Sequence, residues 1–391
     1  MTATASSSPT TSILSDDALQ RFHSRASAYD RENRFFTEDF EELRESGYLK
    51  QLIPSDMGGP GGSLTSYIEQ LKDVAYHAPA TALATNMHMY WTGVAANMRA
   101  MGDSSLEWIL SEAANGEVFA AGHGETGAEL PLFLSTTKAE RVDGGYRFTG
   151  HKIFGSLSPV WTRLGLHGMT ADGQIVHAFM PRDTPGYTIK ETWDTLGMRA
   201  TRSDDTILDG AVVPDRYIAR ILPAGGADLF VLSVFAWAEP TFATIYTSLA
   251  KRAIDLAVEG VKKRTSLALS RSMAYHPEVQ HEIAAMQIEF EGMQAHVDRI
   301  VADWTNGVDH GALWPMKLVA MKHHCVEGAK QIVDRAMTVS GGTGMFRSNE
   351  LERLYRDVRC GGFHPANSML VHELVGKSML GIDLGEQPRW G

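Results

Sequence analysis

Late in the chain the run "RLYRDVRCGGFHPAN" (353–367) gathers Gly361, Gly362, His364 and Pro365 into a stretch that no helix would choose. Such a turn leaves room for a ligand beside its backbone, and an imidazole there titrates near neutrality, so His364 is a candidate for proton transfer. A histidine buried for structure is the plain alternative. Other apparent signals are weaker. "GHGETG" (122–127) matches the glycine spacing of a dinucleotide-binding turn, but that turn must open a helix, and Pro131 with the Leu and Thr residues after it does not start one. His372 and Glu373 begin a metalloprotease-like pair, yet the residue four after His372 is Gly376, so the second ligand is missing. His323 and His324 are adjacent, about 100° apart on a helix, and do not easily share one ion. No metal site is expected.

The elements that must position these side chains read as α+β, mainly α. Residues 1–13 are small and polar and read as a disordered tail. Over 14–116 the segments "DDALQRFHSRASAYDRENRF", "EDFEELRESGYLKQL" and "SLTSYIEQLKDVAYHA" carry apolar residues three or four apart, which predicts a helical domain broken by "IPSDMGGPGG". From 117 to 228 short alternating runs flank turns, as in "TKAERV", "DGG" and "YRFTGHKIF", which predicts a small antiparallel sheet or barrel. From 229 to 391 helical periodicity returns. Ile283, Met286, Phe290, Met293, Val297, Ile300 and Trp304 form one apolar face, and Met316, Val319, Val326, Val333 and Ala336 form another that stops at "SGGTG". Such faces pack in bundles.

Composition excludes several function classes. With 391 residues, 43% of them hydrophobic and 21% charged, the chain is an ordinary globular protein of two or three domains. No apolar run is read as approaching the roughly 20 residues that cross a bilayer. A net charge of −11 argues against nucleic acid, and two cysteines, Cys325 and Cys360, fit a reducing cytoplasm.

Several strings, in order, carry a family likeness over about residues 15–385. "LIPSDMGGPGG", "GHGETGAELPLFLSTTKAE", "GYRFTGHKIFGS", "WDTLGMRAT", "ILDGAVVP" and "SGGTG…LERLYRD" together resemble the acyl-CoA dehydrogenase superfamily of flavoproteins. The resemblance implies a helical domain, a β domain and a C-terminal four-helix bundle. It places FAD between the last two and implies a homodimer or homotetramer. Phe154 would lie against the flavin, Ser156 would bond near its reactive nitrogen, and Gly124 stands where the family has a ring-contacting Thr. Gly341, Gly342 and Gly344 match the turn that receives the ADP part of a neighbour's FAD, where close approach to a diphosphate favours glycine. The plainer reading of the three glycines is a helix end. Arg264 or Arg271 would meet the diphosphate. Leu130 and Pro131 replace the family's Ser-Asp, which puts a CoA substrate in doubt beside an acyl-carrier thioester or no thioester.

The reaction the resemblance implies first is α,β-desaturation of an acyl thioester: a carboxylate takes a proton while hydride leaves for the flavin, and an electron-acceptor flavoprotein reoxidises it. The usual glutamate position after the Arg-Asp pair falls on Pro365, next to His364. Glu239 is the favoured base, read at a helix start before Pro240, where it would otherwise complement the helix dipole. The alternative is a two-component monooxygenase of the same fold using His364 and His88 of "ALATNMHMYW", with FMN supplied by a flavin reductase. A third reading is a catalytically silent binding homologue.

Overall fold

The computed structural model describes residues 12–127, 132–268, 270–383 and 386. The expected tail therefore lies outside the described residues up to position 11, as do Leu130 and Pro131. Ser12 and Ile13 belong to the fold: both hydrogen-bond the side-chain oxygen of Gln70.

Helices come first: α1 (Asp16–Glu32), α2 (Thr37–Glu45), α3 (Leu64–His77), α4 (Pro79–Ala100) and α5 (Glu107–Ala114). Caps fix their starts. Ser15 accepts from the Ala18 N–H, and Ser63 with Ser66 forms a reciprocal capping box before α3. Eight strands follow: β1 (Phe119–Ala121), β2 (Lys138–Val142), β3 (Gly145–Gly155), β4 (Arg163–Met169), β5 (Gln174–Pro181), β6 (Tyr187–Lys190), β7 (Asp204–Pro214) and β8 (Ile218–Pro223).

The sheet runs β6-β7-β3-β2-β4-β5-β8, with β1 added beside β4. It is mixed rather than purely antiparallel as expected, because β1 and β2 both run parallel to β4. Its two ends, β6 and β8, are not neighbours, so the order is that of an open sheet rather than a closed barrel.

The second helical part comprises α6 (Leu229–Lys263), α7 (Pro277–Thr305), α8 (Trp314–Ser340), α9 (Glu350–Cys360) and α10 (Ser368–Leu380). The predicted faces are buried: Met286, Phe290, Met293, Val297 and Ile300 on α7, and Val319, Val326, Val333 and Ala336 on α8. Each of the Val, Ile, Met and Phe side chains contributes about 1.5–3 kcal/mol relative to exposure. The central element is α6, in contact with α3, α4, α7, α8 and α9. Contrary to the sequence reading, α6 is by length and composition apolar enough to cross a membrane; 83% of its most apolar window is instead buried inside this fold. A helix surrounded by other helices must be apolar on nearly every face.

Candidate active site

The loop after α9 is built by glycine. A Cβ on Gly361 would stand 2.9 Å from Val326 and 3.0 Å from Tyr246, so only glycine lets the chain press between α8 and α6. A short 3-10 turn, Gly361–Phe363, then delivers His364 in extended conformation, and Asn367 caps α10 by accepting from the Leu370 N–H. The His364 ring lies parallel to Phe242 at 4.6 Å and 8°, and its Nε2 is 2.8 Å from the Tyr246 hydroxyl. Lys322, buried on α8, donates to the carbonyl oxygens of His364 at 2.8 Å and Ala366 at 2.9 Å. Burial, reinforced by the Lys322 ammonium, pushes the His364 pKa down to about 3, so the ring is neutral.

Glu239 does not begin a helix. It sits well inside α6, whose first residue is Leu229, and is 1% exposed. It accepts a hydrogen bond from the Ala366 backbone, faces the Lys322 charge, and leaves Oε2 without a partner. Burial pushes its pKa up to about 7, against the pull of Lys322 and the Ala366 N–H. Glu239 and Lys322 therefore both meet the backbone of the loop that carries the imidazole.

His88 is not available for chemistry, contrary to the sequence expectation. Its Nδ1 accepts from the Phe119 N–H at 3.1 Å and its Nε2 donates to the Leu49 carbonyl at 2.9 Å. Both nitrogens are committed to backbone, and burial pushes the pKa down to about 4. The ring ties α4 to β1.

Phe154 and Ser156, which the resemblance assigns to the flavin, lie at and just after the end of β3. Phe154, next to last in β3, has φ 60°, in the left-handed region that a bulky residue avoids; the residue is 56% exposed and its ring meets Trp193 in an edge-on arrangement. An apolar ring held out in this way is a surface for a planar partner. Ser156 Oγ lies 2.7 Å from Ser203 Oγ, which lies 2.8 Å from Thr201 Oγ1. The same loop reaches α9: the Met198 N–H donates to Asp357 Oδ1 at 2.6 Å. A Cβ on Gly197 would fall 2.4 Å from the Arg356 carbonyl, so this loop lies directly on α9. Hydrogen bonds and backbone contact thus connect Ser156 to the helix that ends at Gly361. Gly124 bridges Ile153 beside Phe154, where a Cβ would meet the Ile153 carbonyl at 2.7 Å.

At the end of α8, Gly341 adopts φ 68°, Gly342 opens onto space, and Gly344 lies against Met337. Of the two candidate arginines, Arg264 is the one at this turn; it donates to the Ser340 and Val339 carbonyls at 2.7 and 2.8 Å. Arg271 is exposed and stacks on Tyr275 instead. Among the described residues no group of His, Cys, Asp and Glu could hold a metal ion.

Sequence reasoning missed Phe242, Tyr246 and Lys322. The first two follow Glu239 at helical spacing, which puts all three on one face of α6 and was a usable signal. Lys322 lay in plain view between Val319 and Val326 on the apolar face of α8. Also missed was Glu125, which forms a buried ion pair with Lys152 and accepts from Ser135, Thr136 and Thr137, holding the start of β2 against β3.

Helices, then a mixed sheet, then a helical bundle are the architecture of the acyl-CoA dehydrogenase fold. Residues 229–364 match the family model described as acyl-CoA dehydrogenase, C-terminal domain. The chain is 27% identical over 364 residues to the putative acyl-CoA dehydrogenase YdbM of Bacillus subtilis, covering 91% of this chain and 93% of that protein. It is 26% identical over 382 residues to the L-evernosamine nitrososynthase of a Micromonospora species, covering 93% and 88%. The structure of KijD3 with FMN and a dTDP-linked amino-keto sugar superposes with a TM-score of 0.81 at 23% identity, covering 94% of this chain and 92% of that one. Residues 229–364 carry the acyl-CoA dehydrogenase C-terminal domain, and along most of its length the chain is similar to proteins of that type.

Proposed function

We propose that the protein is a two-component flavin-dependent monooxygenase, taking reduced FMN from a separate reductase. The observation that carries this reading is the loop after α9: its reactive side chain is the imidazole of His364, and the carboxylate of Glu239 is buried against Lys322 and the Ala366 backbone. Reduced flavin bound between sheet and bundle would activate dioxygen, one oxygen atom entering the substrate and the other leaving as water. The chain's part is to seat the ring against Phe154, bond its edge through Ser156, and hold a neutral imidazole at a fixed position. Likeness to a nitrososynthase supports this reading.

Rapid mixing tests it. Reduced FMN followed by oxygenated buffer and an amino or phenolic substrate is expected to give product carrying label from ¹⁸O₂, without bleaching of oxidised flavin by acyl-CoA. Bleaching by acyl-CoA alone overturns it.

A second reading, desaturation of an acyl thioester, is favoured by the unpaired Oε2 and near-neutral pKa of Glu239. Loss of acyl-CoA-dependent flavin reduction in Glu239→Gln supports that reading. If the purified chain takes up neither FMN nor FAD, it is a silent homologue. The first reading goes with a cytoplasmic homodimer or homotetramer, supported by exposed Met345 and Phe346 beside the glycine turn and Met379 and Leu380 on α10. Light scattering reads the assembly.

A further inference from the structure

We infer that Tyr246 is a positioning residue that donates its phenolic proton to His364 Nε2, so that the ring carries its own proton on Nδ1 and the loop presents a neutral N–H donor. The argument starts from the tyrosine. Its side chain is fully buried, and its hydroxyl has His364 Nε2 as its partner. A buried O–H without an acceptor costs about 1–3 kcal/mol, whereas a buried phenolic oxygen that accepts nothing costs less, so the phenol donates. Burial, with Cys360 and Asp357 nearby, keeps the phenol protonated.

A neutral imidazole has one donor and one acceptor. Once Nε2 accepts from Tyr246, Nδ1 must carry the hydrogen. Nδ1 has no partner among the described residues, and it is absent from the sealed, unpaired atoms, so it remains open to a ligand. Two further contacts hold this state. Phe242 stacks along the ring face, and the Lys322 ammonium on the His364 carbonyl makes a second positive charge on the imidazole unfavourable.

Placed this way, His364 is not a base for a phenol. It is a hydrogen-bond donor to an oxygen lone pair, on a carbonyl or an oxygen anion. That use rests on the monooxygenase reading, whereas the proton's position does not.

The experiment uses the full chain labelled with ¹⁵N-histidine, with His364→Asn to assign the signals. The expected wild-type spectrum shows a pyridine-type Nε2 and a protonated Nδ1 for His364, and Tyr246→Phe loses that pattern. A protonated Nε2 in the wild type, or an unchanged pattern in Tyr246→Phe, overturns the inference. Holoenzyme turnover adds a second readout. The amide N–H of His364→Asn overlays Nδ1 and is expected to keep activity within about tenfold, while His364→Ala falls about 10²-fold. Equal loss in both variants overturns the donor role. The expected spectrum combined with no oxygenated product overturns the proposed reaction and leaves the role of Tyr246 standing.

Discussion

Lys322 holds His364 by its main chain rather than its ring, the ammonium donating to the His364 carbonyl at 2.8 Å and to the Ala366 carbonyl at 2.9 Å. Since the same ammonium faces Glu239, one buried cation ties down two carbonyls of the loop and balances the carboxylate beside it. Substituting Lys322→Met leaves two carbonyls and a carboxylate without their cation. The expected loss is about 3–5 kcal/mol of unfolding free energy, read by urea titration. A loss below about 1 kcal/mol means the loop holds itself.

Glu239 makes stability fall as pH rises. Its folded pKa, about 7, stands above the ordinary 4.5, so the folded state binds the proton more tightly than the unfolded chain does. The stabilisation is complete below pH 4.5 and is lost as pH climbs through about 7. Glu239→Gln removes this dependence, and the difference between wild type and variant should change by about 1–3 kcal/mol across that window. A constant difference between the two proteins contradicts the assignment.

For His88 the structure argues a role in stability. His88→Ala removes an acceptor from the Phe119 N–H and a donor from the Leu49 carbonyl, both buried. We expect unfolding to become easier by about 2–4 kcal/mol. Flavin affinity of the folded variant, measured by fluorescence quenching, should stay within about threefold, since one pair of backbone bonds is all that is lost. A selective loss of flavin binding would return His88 to the site.

Acid should unfold the protein through its buried histidines. Burial lowers the pKa of His88 to about 4 and of His177 and His364 to about 3, and holds His123 and His167 well below 6.5. The unfolded chain takes up these protons first, so stability present above pH 6.5 is lost as pH falls, at up to about 1.4 kcal/mol per pH unit for each ring. His177 is the ring to replace, because it is 1% exposed and neither nitrogen has a partner. His177→Phe should move the acid midpoint to lower pH, followed by circular dichroism; an unmoved or higher midpoint counts against this account.

Much of the site was legible because glycine announces itself. Gly361 is glycine because a side chain would strike Val326 and Tyr246, and that requirement marks the loop in the sequence. Phe154 and Ser156 were proposed from family likeness, whereas the left-handed backbone at Phe154 leaves no trace in a string of letters. Arg264 and Arg271 were indistinguishable by spacing, and the fold separated them by bringing one to the Ser340 carbonyl. Glu239 was misplaced because Pro240 reads as a helix start. The proline is instead carried inside α6, a helix held on several sides by its neighbours.

By itself the sequence determined the order of helices, strands and helices and the apolar faces of α7 and α8, since periodicity is a local property of the chain. It also determined the presence of a glycine turn ahead of His364. Only the tertiary structure decided what each polar group meets. Tyr246 and His364 are 118 residues apart, and His88 has its partners at Leu49 and Phe119. A histidine's protonation and tautomer are set by the donors, acceptors and burial that the packed fold supplies, and those come from elements that adjacency in the chain does not link.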